Sequence, residues 1–113
     1  MHSIVYKIVS KEIWQSAEAR GLFEGASIDL TDGFIHLSTA AQAKRTAELF
    51  FKGVEGLLLV AVDADALGDK LVFEPSRDND LFPHLYGSLP MGAVLWAKPL
   101  PVGADGLHIF PEL

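Results

Sequence analysis

The first apolar run, residues 3–9, carries Ile4, Val5, Tyr6, Ile8 and Val9, a β-branched and aromatic composition that predicts a strand. Ser10 stands where a helix N-cap belongs. Ile13, Trp14 and Ala17 then recur at helical spacing as far as Gly21, so a helix over Lys11–Arg20 is expected with those three on its buried face. Residues 21–33 show no period and read as loop, closed by an Asp32-Gly33 turn signal. Phe34-Ile35-His36-Leu37 reads as a short strand. Thr39-Ala40-Ala41-Gln42 fits a capping box, in which hydroxyl and amide each meet an orphan backbone N–H, and predicts a helix over 40–51 that Gly53 stops. Residues 57–62 are apolar almost without a break, the pattern of a strand buried on both faces. One helical turn over 64–67 and a strand over 70–73 follow. The segment 74–92 has little periodicity. Strands over 93–98 and 106–110 close the chain, separated by a break at Pro99 and Pro101.

Helices early and strands late are not a regular βαβα alternation, and no strand-to-helix turn is glycine-rich, which argues against a Rossmann fold. The order favours an α+β fold: a small single domain, 1–113, with a curved, mostly antiparallel sheet and two main helices. Gly33 and Gly87 are expected at backbone positions that resist a Cβ.

Composition narrows the function. Of 113 residues, 50% are hydrophobic and 21% charged, enough for a core and too few charges for a disordered acidic chain. Nine Lys and Arg against 15 Asp and Glu give a net charge of −6, which argues against duplex nucleic acid as a partner. With no cysteine, disulfides, thiolate catalysis and Cys-ligated metals are excluded. The chain begins without an apolar signal core. Its longest charge-free stretch, 81–97, is broken by Pro83, Gly87, Pro90 and Gly92 and falls short of the roughly 20 apolar residues that span a bilayer. A cytoplasmic protein with no membrane partner is expected.

Candidate chemistry lies in three places. If Ile35 and Leu37 face the core, strand alternation puts Phe34, His36 and Ser38 on the other face, just before a helix N-terminus at Thr39 whose amides suit an anion. The competing reading is a strand histidine satisfied by backbone beside an ordinary cap. Phe82-Pro83-His84-Leu85-Tyr86-Gly87 is an unusually aromatic loop whose His84 and Tyr86 tips could project into a cleft, or which could simply close the sheet. Glu74 and Arg77 are the nearest charges: a general base or hydroxyl acceptor and an anion fork, or else a solvated ion pair. Asp63, Asp65, Gly68 and Glu74 mimic part of an EF-hand loop, but Leu67 and Lys70 break it and a strand precedes it. His36 and His84 lack metal-ligand spacing, and His2 and His108 belong to no constellation.

Tyr6-Lys7-Ile8, Trp14, Asp32-Gly33-Phe34-Ile35-His36-Leu37-Ser38-Thr39 with Gln42, and Phe82-Pro83-His84-Leu85-Tyr86-Gly87 with Leu89-Pro90 together resemble the bacterial and plant family called domain of unknown function 952. The His36-Leu37-Ser38-Thr39 strand is also distantly similar to the His-Leu-Ser strand of RNA 2′-phosphotransferases, in the ADP-ribosyltransferase superfamily. That resemblance implies a split sheet around a cleft that holds NAD. The site would combine Tyr6 and Lys7, His36 and Ser38, and His84 to Tyr86, with Phe34 or Tyr86 flanking a flat ring. Where the phosphotransferases carry an Arg-His pair, this chain has Tyr6-Lys7, and Arg77 is the stand-in for their further arginines.

Three functions compete at this point. One is an enzyme transferring a group from, or hydrolysing, NAD or a nucleotide-like substrate, with His36 and His84 catalytic. Another is a non-catalytic module for a small anionic or aromatic metabolite. The third is a protein-interaction domain using the apolar stretch 81–97.

Overall fold

The computed structural model describes residues 3–113; Met1 and His2 lie outside the described residues. In chain order the elements are β1 (Ile4–Ser10), α1 (Lys11–Arg20), β2 (Leu22–Phe23), α2 (Ile28–Asp32), β3 (Ile35–His36) and α3 (Ala40–Phe50). Then come β4 (Leu57–Asp63), a 3-10 turn (Ala64–Lys70), β5 (Leu71–Pro75), a 3-10 turn (Arg77–Asn79), β6 (Leu81–Leu85), β7 (Leu89–Pro90), a 3-10 turn (Met91–Ala93) and β8 (Val94–Leu100). They build a small α+β domain with antiparallel sheets ordered β1-β4-β8, β2-β7 and β3-β6-β5.

Alternation along β1 and β4 separates two hydrophobic clusters. Val5, Val9, Val60 and Val62 face Trp14, Phe23, Ile35 and Leu85 on one side. Tyr6, Ile8, Leu57, Leu59 and Ala61 face Ala47 and Leu100 on the other. Each large apolar side chain so enclosed contributes about 1.5–3 kcal/mol relative to exposure. β4 is therefore buried on both faces, as its unbroken apolar run requires.

The caps follow the sequence. Ser10 accepts from the Ile13 amide, Gly21 ends α1 at φ 87°, and Thr39 with Gln42 forms the capping box of α3. Gly33 (φ 85°) and Gly87 (φ 151°) occupy backbone that a Cβ disfavours, and at Gly87 a Cβ would also sit 3.1 Å from the Lys70 side chain.

Four expectations need correction. Ile13 is exposed, because Trp14 and Ala17 alone fill the inward face of the short α1. The supposed loop 21–33 contains β2 and α2. The aperiodic segment 74–92 contains β6, a middle strand with Phe82, Pro83, His84 and Leu85 all buried, so no period-2 pattern was there to see. Residues 106–110 form no strand: the chain turns at Gly106 and makes a single bridge, Val102 to His108. No helix among the described residues is long and apolar enough to cross a membrane.

Pro83 explains how two sheets meet. The Leu37 amide donates to the Pro83 carbonyl at 3.0 Å, but proline has no N–H to return, so the β3–β6 ladder ends after His36. The chain then crosses to β1, where Ser38 and Tyr6 exchange two backbone hydrogen bonds of 2.8 Å.

Candidate functional site

On β1, Lys7 falls between Val5 and Val9 and points the same way, into the interior. An unpaired ammonium there would cost several kcal/mol. Asp29 of α2, 2% exposed, supplies the counter-charge, with Oδ2 2.8 Å and Oδ1 3.0 Å from Lys7 Nζ. Burial pulls the Lys7 ammonium below its ordinary pKa, and Asp29 works against that. Burial alone would raise the Asp29 carboxyl. The Lys7 charge, together with hydrogen bonds from Lys7 and from the His36 and Ala26 amides, outweighs it and holds the carboxyl below its ordinary value.

The same pair fixes His36. Its carbonyl accepts from Lys7 Nζ at 3.0 Å, and its Nδ1 lies 2.7 Å from Asp29 Oδ1. Its Nε2 lies 2.9 Å from Asp32 Oδ2. Carboxylates are acceptors, so the ring meets both only as a double donor.

His84 is the direct cross-strand partner of His36 in the β3–β6 register. Its Nδ1 lies 2.7 Å from Glu74 Oε1, which also accepts from the Tyr86 hydroxyl at 2.7 Å. The Tyr86 bond first, and His84 second, hold the Glu74 carboxyl below its ordinary value, while Glu74 raises the Tyr86 phenol. Nε2 of His84 has no partner among the described residues. Phe34 stacks on His84 at 4.1 Å and 22°, and touches His36 and Tyr86 at 4.6 and 5.2 Å. The two imidazole centroids are 5.6 Å apart.

Both histidines line a cavity of about 380 Å³, with Tyr6, Ser38, Thr46 and Arg77 on its polar wall and Phe50 and Phe82 on its apolar one. The Arg77 guanidinium lies over the Phe82 ring at 4.8 Å and the Phe50 ring at 5.8 Å. It donates to Thr46 Oγ1 at 3.3 Å and pairs with no carboxylate among the described residues.

The structure thus gathers Tyr6, Lys7, His36, Ser38, Arg77 and His84 around one cavity. Phe34, Thr39, Glu74 and Tyr86 do not line it. Phe34, Glu74 and Tyr86 instead brace the histidine rings. Thr39 is buried with its amide on Gln42 Oε1 at 3.0 Å, so the α3 terminus serves its own capping box. Asp29, Asp32 and Thr46 escaped the sequence reading. A lysine inside an apolar strand was the available signal for Asp29, since it demands a buried acid. Nothing comparable marked Thr46. No group of three or more His, Cys, Asp or Glu side chains among the described residues is placed to hold a metal ion.

Comparison with curated proteins gives no match. Among solved structures, the crystal structure of protein CC0527 from Caulobacter crescentus is similar, at 45% identity and TM-score 0.90 over 94% of this chain and 93% of that one. Its solution NMR structure gives 46% identity and TM-score 0.84, over 93% and 90%. Residues 8–97, which hold the end of β1 through most of β8 and every cavity residue named above except Tyr6 and Lys7, match the family described as Protein of unknown function (DUF952), and the chain belongs to that family.

Proposed function

We propose that the cavity binds a small, anionic, nucleotide-like molecule and acts on it by acid–base-assisted group transfer or hydrolysis. One observation carries this reading: two cross-strand imidazoles, each held at Nδ1 by a carboxylate, face the same cavity. Carboxylate–imidazole pairing fixes ring orientation and tautomer, as proton transfer requires. His84, with Nε2 open, is the acid–base group. His36, held at both nitrogens by Asp29 and Asp32, is the positioning and electrostatic one. The specific form of the reading is ADP-ribosyltransferase-like, with NAD as substrate: site residues come from β1, β3 and β6, and the chain passes between sheets at Ser38, as that resemblance implies. It takes residues 1–113 as one cytoplasmic domain without membrane or duplex nucleic acid as partner.

A second reading, a non-catalytic binding module, is favoured by the closure of His36 between Asp29 and Asp32, which leaves it no free nitrogen. A thermal-shift titration with NAD, ADP-ribose and nucleoside monophosphates, followed by product analysis, separates the two. A ligand at a hundredfold its Kd should stabilise the fold by about 2.7 kcal/mol. The enzyme reading expects turnover that disappears in His84→Ala with folding intact. Binding without turnover selects the module, and no shift from any nucleotide overturns the nucleotide-like ligand.

A further inference from the structure

Beyond the histidines, the polar wall of the cavity holds hydrogen-bond donors that no internal acceptor uses. Tyr6 is 4% exposed, and its hydroxyl has no partner among the described residues. Ser38 Oγ and Thr46 Oγ1 share one bond of 3.3 Å, which consumes one of their two hydroxyl hydrogens whichever of them donates. Arg77 meets Thr46 only at a lone pair, so the second hydrogen stays unspent. Arg77 itself spends one N–H there and has the rest of its fork over, with aromatic rings beneath it and no carboxylate paired with it among the described residues. Asp32, the one carboxylate lining the cavity, is engaged by His36. Four groups are therefore donors in want of an acceptor among the described residues: the Tyr6 phenol, the Ser38–Thr46 hydroxyl pair, the Ser76 hydroxyl and the Arg77 guanidinium.

We infer that Tyr6, Ser38, Thr46 and Arg77 form a phosphate subsite, which favours a compact phosphate monoester over NAD as the nucleotide-like molecule acted on at His36 and His84. A terminal phosphate is tetrahedral and carries up to two negative charges, so it meets donors that approach from separate directions and pairs its charge with the arginine, whereas a carboxylate is planar and singly charged. Size points the same way. A cavity of about 380 Å³ lies at the low end of the roughly 300–1,000 Å³ of small-molecule sites, which suits one ring and its phosphate. A dinucleotide would extend beyond it. The assignment of chemistry to the histidines rests on the proposed function; the subsite does not.

The test is an NMR titration of the whole protein with inorganic phosphate, using acetate as the planar comparator. Phosphate should produce saturable shifts at the Ser38 and Thr46 amides and at the Arg77 Nε–H, and acetate should bind more weakly. Arg77→Met should weaken phosphate by at least about tenfold, the range for a charge-assisted hydrogen bond. Tyr6→Phe, which removes one oxygen and conserves the ring, should weaken it about two- to tenfold, and it keeps the test open if the arginine variant unfolds. Absence of saturable phosphate binding overturns the subsite, as does binding unchanged in Tyr6→Phe and a folded Arg77→Met. Acetate binding as tightly as phosphate overturns the phosphate class. Intact phosphate binding with no turnover of any phosphate ester sustains the subsite and removes the acid–base reading instead.

Discussion

A lysine on the inward face of a strand is tolerable only while its counter-charge is in place, and here that counter-charge also holds the backbone and ring of His36. Asp29→Asn should therefore destabilise the fold by about 3–5 kcal/mol, because it leaves Lys7 buried and unpaired. The double variant Lys7→Met, Asp29→Asn removes the buried ammonium while an amide oxygen still accepts from the backbone, and should recover part of that loss. Urea unfolding of the three proteins decides it, and a single variant within about 1 kcal/mol of wild type would show that the pair does not anchor β3. The depressed Asp29 carboxyl also sets a pH dependence. A carboxyl lower in the folded than in the unfolded state gives stability that is complete above the unfolded value, near 3.9, and is lost as pH falls through the folded value. The acid limb of the stability curve should be shallower in Asp29→Asn. At this scale the sequence was legible wherever alternation acts alone: Ile35 and Leu37 inward, His36 and Ser38 toward the cavity. It was not legible for Lys7, whose role as a buried anchor depends on a partner 22 positions away.

Gln42 joins three elements. Its Oε1 caps the Thr39 amide, and its Nε2 reaches Asp80 Oδ2 at 2.9 Å and the Leu81 carbonyl at 2.8 Å. It thereby ties the start of α3 to the start of β6 and to the 3-10 turn that carries Arg77. That turn is strained, with Asp78 and Asn79 at φ 57° and 62°. Gln42→Ala leaves a buried amide and a carbonyl without partners, so a loss of about 1–3 kcal/mol is expected. It should come with faster backbone motion at residues 77–80 in NMR relaxation. Wild-type stability and unchanged relaxation there would refute the tie. The capping box was readable because it is local, four consecutive residues with complementary groups. The reach to Asp80 and Leu81 was not, and neither was β6. A middle strand containing proline and histidine contradicts every local strand signal, and it is tolerated because the missing Pro83 donor coincides with the point where the β3 ladder stops.

Across the whole molecule, stability is distributed unevenly. β4 pairs with a strand on each side and is buried on both faces, so its amides open only when the domain unfolds. The cavity lies between that sheet and the other: β1 supplies Tyr6 and Lys7, while β3, which supplies His36, is two residues long and joins β1 by the Tyr6–Ser38 bridge. With a two-residue strand and one bridge holding it, the β3–β6 side of the cavity should open at a lower free energy than the domain. Native-state hydrogen exchange should find Leu59, Val60, Ala61 and Val62 slowest, with the amides of Ile35, His36 and His84 opening earlier as a group. A molecule bound in the cavity is lost in either kind of opening. It should therefore raise both free energies by the same increment, RT ln(1 + [L]/Kd), and leave unchanged only those fluctuations that keep the site intact. Equal protection of the two groups in the free protein would make the domain a single cooperative unit. A ligand that slowed the cavity half alone, with β4 unmoved, would place its binding in a state other than the folded one described here.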